Sequence, residues 1–132
     1  MLTRGRNTPE FAGGRLIVVP VQAGAKIFDG ALVALNADGF AIPGTLAPDL
    51  TAAGRAEEEA DNTNGADGEL TVRISRGVFV YSNSSTAPIT QKDVLKDCYI
   101  EDDETVSATA TDTSIAGKVL GFEGSEVIVE IL

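Results

Sequence analysis

Residues 70–82 read LTVRISRGVFVYS, and their apolar and polar positions alternate. Val72 and Ile74 fall on one side of an extended chain, with Thr71, Arg73 and Ser75 on the other. After Gly77 the alternation restarts, with Val78 and Val80 opposed to Phe79 and Tyr81. A period of two over this length predicts a strand, and the glycine predicts a bend or bulge that lets one long strand wrap a small barrel. The closing residues behave alike: Val127, Val129 and Ile131 share a face against Ile128, Glu130 and Leu132.

Shorter apolar runs punctuated by turn residues fill the rest. RLIVVPV (15–21) predicts a strand that is at an edge or broken at Pro20, because proline cannot donate to a ladder. ALVAL (31–35) and FAIP (40–43) predict a hairpin across NADG, where Asp38-Gly39 supplies the positive φ of a tight turn. Asp29-Gly30 predicts the preceding turn. Residues 45–51, with Pro48, predict a loop, and AAGRAEEEA (52–60) a strand of small residues, since it is short and has no helical stripe. SNSSTAP is a loop, and Thr90 with Asp93 three residues on predicts one short helical turn. CYIEDDETVSAT predicts a hairpin turning on EDDE, and SIAGKVLGFEGSEVIVEIL another turning at Glu123-Gly124.

The sum is about nine or ten short strands with turns every roughly 8–12 residues. The predicted class is all-β, a small antiparallel β-barrel or sandwich with at most one short helical turn. Residues 1–14, MLTRGRNTPEFAGG, lack any period and carry Pro9 and Gly13-Gly14, which predicts an extended N-terminal arm ahead of a single barrel domain over 15–132. A chain of 132 residues fits one domain and can bury a core without disulfides or metals. With two Tyr, five Phe and no Trp, that core must be mainly Val, Ile, Leu and Ala.

Charge is distributed unevenly. The formal net charge is −10, which argues against nucleic acid or an anionic membrane as the main partner. Residues 1–26 carry Arg4, Arg6, Arg15 and Lys26 against Glu10. A basic arm on an acidic body either reaches for another acidic surface or is a frayed, solvated terminus. Residues 1–15 show no apolar core of a signal peptide, and LIVVPV is too short to span a bilayer. The single cysteine, Cys98, lies beside apolar Tyr99 and Ile100 and is expected in the core.

Candidate chemistry is thin. There is no histidine, which removes the usual general base, the usual partner of a Ser or Cys nucleophile and the usual zinc ligand. EEEADNTNGADGEL (57–70) concentrates carboxylates, Asn and Gly, as a calcium loop or a solvated turn would. No register supplies the oxygen ligands, glycine and closing Glu of an EF-hand, so the loop reading is preferred. EDDET (101–105) places carboxylates side by side at a hairpin tip, where they diverge into water. No phosphate loop occurs, and SNSST has no base beside it. The residues therefore predict no enzyme, no catalytic residue, no cofactor and no metal.

Four segments, taken in order, resemble the bacteriophage capsid cement, or head decoration, proteins. They are AGAKIFDGALVALNADGFAIPG (23–44), GRAEEEADNTNGADGELTVRISRGVFVYSNS (54–84), DCYIEDDETVSAT (97–109) and AGKVLGFEGSEVIVEI (116–131). The likeness lies in their order and spacing, above all RGVF followed by CYIEDDETV. It implies a structural virion protein on the outer surface of an expanded phage head, made in the host cytoplasm. Such a protein bridges major capsid subunits and is a homo-oligomer, a trimer rather than a dimer, with no direct nucleic-acid or membrane contact. The implied capsid-contacting residues are Thr3, Arg4, Arg6, Asn7, Thr8, Pro9 and Arg15, acting by strand addition or salt bridges. The rival expectation is a non-enzymatic β-module that binds a cation or carbohydrate through its acidic loops.

Overall fold

The computed structural model describes residues 1, 3, 4, 6 and 15–132. Among them the chain forms strands β1 (Leu16–Pro20), β2 (Lys26–Ile27), β3 (Leu32–Leu35), β4 (Ala41–Pro43), β5 (Thr51–Ala56), β6 (Ala60–Asp61), β7 (Thr71–Ser75), β8 (Gly77–Asn83), β9 (Asp97–Ile100), β10 (Thr105–Ser107), β11 (Ile115–Glu123) and β12 (Glu126–Ile131). A 3₁₀ turn at Gln91–Asp93 is the sole helical element among the described residues. The all-β class therefore holds.

The first half of the chain builds a five-stranded sheet in the order β1-β7-β5-β3-β4, with β2 and β6 paired beside it. A parallel bridge from Val21 to Ala41 joins its two edges and curls it. The second half closes into a ring, β10-β8-β12-β11-β9. Every pairing in that ring is antiparallel except β8 with β10, which run parallel through Thr105 opposite Ser82 and Val106 opposite Asn83.

The long alternating run 70–82 is divided between the two halves. β7 belongs to the open sheet and β8 to the ring, and Gly77, at φ 157°, sits at the change of sheet. The expected faces are right on both sides of it. Val72 and Ile74 are fully buried, Tyr81 is 5% exposed, and Val78 and Val80 point outward. The predicted strand 52–60 also splits, because the chain bends at Glu57-Glu58 between β5 and β6. Thr51, placed in the preceding loop by its sequence, opens β5. These splits and the two-residue strands β2 and β6 account for twelve strands in place of about ten.

The turns form as their residues dictate. Asn36 Oδ1 accepts from the backbone N–H of Asp38 at 2.9 Å and of Phe40 at 3.0 Å, and Gly39 takes φ 87°. This closes the β3–β4 hairpin. Asp93 Oδ2 accepts from the Thr90 backbone N–H at 2.9 Å and caps the 3₁₀ turn. The last hairpin turns on Gly124 and Ser125, one residue later than its sequence suggested. β1 is an edge strand that ends at Pro20, where the missing donor does no harm.

Two buried clusters form. Val19, Val21, Ile27, Val33, Val72 and Ile74 lead the first, under the curled sheet. Leu32, Tyr81, Cys98, Ile100, Val106, Val119, Val127 and Val129 lead the second, inside the ring. β3 is the common wall. Its successive side chains point to opposite faces, so Val33 enters the first cluster while Leu32 and Ala34 enter the second. This explains why ALVAL is apolar throughout: a strand covered on both faces has no polar side to show.

Candidate functional site

Of the seven expected contact residues, Thr3, Arg4, Arg6 and Arg15 are described and all four are exposed. Asn7, Thr8 and Pro9 lie outside the described residues. The root of the arm is fixed. The backbone N–H of Arg76 donates to the Arg15 carbonyl at 2.7 Å, extending the β1–β7 ladder by one step. Next to it, Ile131 at the end of β12 pairs with Gly77. The first strand therefore starts where the last strand stops, at the point where the chain changes sheet.

The acidic stretch 57–70 uses its carboxylates on itself and its neighbours. Glu57 takes two hydrogen bonds from Arg55, at 3.0 and 2.7 Å, and Glu58 pairs with Arg73 at 3.3 Å. Asp67 Oδ1 accepts from the Ala23 N–H at 2.7 Å, and Glu69 Oε2 from the Ala66 N–H at 2.8 Å. Asp61 accepts from both the hydroxyl and the backbone N–H of Thr63, which holds its carboxyl below the usual range. At the centre is Asn62, 2% exposed. Its amide nitrogen donates to the carbonyls of Val21, Gln22 and Ala66 at 3.3, 3.0 and 2.9 Å. The loop is thus an ordered cap over the first cluster. Among the described residues no group of three or more acidic or cysteine side chains is placed to hold a metal ion.

The second acidic stretch is the β9–β10 hairpin. Asp102 Oδ1 accepts from the Glu104 N–H at 2.9 Å and shapes the turn, and Glu101 accepts from Ser84 Oγ at 2.6 Å. The Asp103 carbonyl accepts from the Leu32 N–H at 2.8 Å, tying the hairpin to the shared strand. Cys98 is fully buried, and burial pushes its thiol up to about 12, so at neutral pH it is a small apolar filler. Burial likewise raises the Tyr81 phenol, whose hydroxyl has no hydrogen-bond partner among the described residues. The Phe79 ring lies beside it, with the Arg55 guanidinium 4.6 Å from the Phe79 ring centre.

What the fold offers outward is surface. Val78 and Val80 are 51% and 42% exposed on the outer wall of the ring. Val80 pairs with Ile128, which pairs in turn with Gly121, and this makes a cross-strand apolar row. Beside Arg76 a groove of about 430 Å³ runs between the start of β5, the start of β11 and the end of β12. The alternation of 77–82 announced two faces but could not say which faced out, because both carry large apolar side chains. The groove has no sequence signal, since its walls come from segments far apart in the chain. Family models, curated proteins and solved structures contain no match to this chain.

Proposed function

We propose that this chain is a capsid cement protein that binds the outside of an expanded phage head through its basic N-terminal arm and bridges major capsid subunits. The observation that carries the reading is the pairing of an exposed cationic arm, with Thr3, Arg4, Arg6 and Arg15 all in solvent, with an acidic β body of net charge −10. Among the described residues, the arm meets the body at the Arg15–Arg76 hydrogen bond. Thr3, Arg4 and Arg6 precede that point in the sequence and are exposed. The four ordered segments that resemble cement proteins support the same reading.

The chemistry suits many weak contacts repeated over a lattice. Each arm contributes a few arginine–carboxylate pairs and a short extended stretch, and the sum over a multimeric particle gives retention through multivalency. The apolar row at Val78, Val80 and Ile128 is the surface on which copies of the chain assemble, as a trimer in preference to a dimer.

The test is co-sedimentation with empty expanded heads of the phage that encodes the chain, alongside the mass of the free protein in solution. The expected result is a trimer that co-sediments, and loss of binding on deletion of residues 2–12. Full-occupancy binding by the deletion variant overturns the role of the arm, and a free protein that never sediments with heads overturns the reading.

A further inference from the structure

The strand β8 is flanked unequally. On one side it pairs with β12 from Gly77 to Tyr81, while on the other only Ser82 and Asn83 have partners, in β10. The N–H of Ser82 donates to the Glu104 carbonyl at 2.8 Å and that of Ser84 to the Val106 carbonyl at 2.9 Å, so the even-numbered residues turn their backbone groups away from β12. Hydrogen-bonding residues alternate along an antiparallel ladder. Val78 and Val80, opposite Glu130 and Ile128, therefore also present their N–H and C=O groups on the β10 side, short of where β10 begins. Among the described residues no strand pairs with them there. Their side chains point outward, so these backbone groups lie in the plane of the sheet, at right angles to the apolar row.

A second groove, of about 360 Å³, lies beside this edge, with Gly30 and Arg55 across from Val78 and Val80. Arg55 is fixed: its guanidinium lies over the Phe79 ring and donates twice to Glu57, so its charge is already met. Gly30 has no side chain to fill the space beside it. The carboxylates left uncommitted at the rims are Asp29, next to Gly30, and Glu104, just before β10, and both are exposed. A row of backbone donors and acceptors selects an extended polypeptide, and the two acidic rims select a basic one. Antiparallel addition is the more stable pairing, and it sets the first residue of the incoming segment beside Glu104.

We infer that the edge of β8 at Val78 and Val80 receives an extended segment of a partner protein as an added antiparallel strand, with a Lys or Arg at that segment's N-terminal end against Glu104. Main-chain hydrogen bonds supply the affinity, and the acidic rims supply the choice of partner. The site belongs to the β body and the test contains no head, so this inference and the capsid reading can fail separately.

The test is amide NMR of the full chain with the probe peptide acetyl-Arg-Thr-Val-Thr-Val-amide. In the free protein the Val78 and Val80 amides are expected to exchange with solvent roughly tenfold faster than those of Phe79 and Tyr81, which the β12 ladder protects. The peptide is expected to slow both, and its counterpart with Glu in place of Arg to bind roughly fivefold more weakly. Val80→Pro removes an N–H that the β12 ladder does not use, and is expected to weaken peptide binding about tenfold. Asp29→Lys/Glu104→Lys leaves the backbone untouched and is expected to reverse the preference between the two peptides, which decides the matter even where the proline variant fails to fold. Val78 and Val80 amides as slow as their neighbours in the free protein overturn the inference, because the chain then covers its own edge. Protection that appears only on concentrating the protein overturns it in favour of a second copy. Peptide binding that is absent, or that either variant leaves unchanged, overturns it as well.

Discussion

Asn62 donates its side-chain amide to the carbonyl of Ala66 at 2.9 Å, and the same nitrogen reaches Gln22 at 3.0 Å. One buried side chain thus joins the acidic loop to the segment after β1. Asn62→Ala removes one of the two donors on each of those carbonyls, which keep the N–H of Ala25 and of Glu69, and empties a buried site, and is expected to cost about 1–2 kcal/mol. Asn62→Asp sets a carboxylate against carbonyl oxygens and costs more. Urea denaturation of both variants measures the difference, and a cost below that of a surface Asn64→Ala control refutes the clamp.

Five of the six carboxylates of 57–70, all but Glu59, are held by Ala23, Arg55, Thr63, Ala66 and Arg73. A divalent cation would have to break those contacts to be bound. The melting temperature is therefore expected to be the same in calcium and in EDTA, as differential scanning calorimetry can establish. A rise in calcium would revive the cation-binding alternative.

Gly54 sits at φ 144° with the position of a Cβ against the Ser75 carbonyl oxygen and 3.0 Å from Ile74 Cγ2. Only a residue without a side chain fits where β5 meets β7. Gly54→Ala is expected to destabilise by about 2–4 kcal/mol through strain and overpacking. Gly39→Ala, in a hairpin turn with open space around it, is expected to cost about 1 kcal/mol. Equal losses in thermal denaturation of the two would contradict this account.

The Tyr81 hydroxyl is buried inside the ring with no partner among the described residues. Tyr81→Phe keeps the ring and removes the unmet polar group, so it is expected to stabilise by about 1 kcal/mol. A loss of stability at constant m-value would mean that the hydroxyl does find a partner.

Cys98 is pushed from 9.0 up to about 12 by burial. Its folded pKa lies above its unfolded one, so its contribution is complete below pH 9.0 and is lost as pH rises toward about 12. In that window the unfolded chain releases the thiol proton first, and Tyr81 adds to the same trend from 10.0 upward. Stability is expected to fall across the alkaline range, with a shallower slope in Cys98→Ala, and the folded thiol should resist a disulfide reagent at neutral pH. Equal slopes in parent and variant exclude this cause.

Much of the fold is legible because its signals are local. Asp38-Gly39, Thr90 with Asp93, and the alternation through Val72, Ile74, Val127, Val129 and Ile131 act within a few residues, and each forms as its chemistry requires. The short pairs Lys26–Ile27 and Ala60–Asp61 are not legible, because two residues carry no period. Of the candidate surface, the basic arm is plain in the sequence, while the groove at Leu50, Arg76, Ile115 and Leu132 joins segments dozens of residues apart.

The order of apolar and polar residues by itself determined an all-β chain, its main turns, a buried Cys98 and an acidic body behind a basic arm. Tertiary structure alone decided that Gly77 divides one alternating run between two sheets, that β3 serves two cores, and that Val78 and Val80 face out while Phe79 and Tyr81 face in. The physical reason is that periodicity defines two faces of a strand without ranking them. When both faces are apolar, the choice falls to whichever distant strands pack against each, and that contact energy is not written in any local stretch.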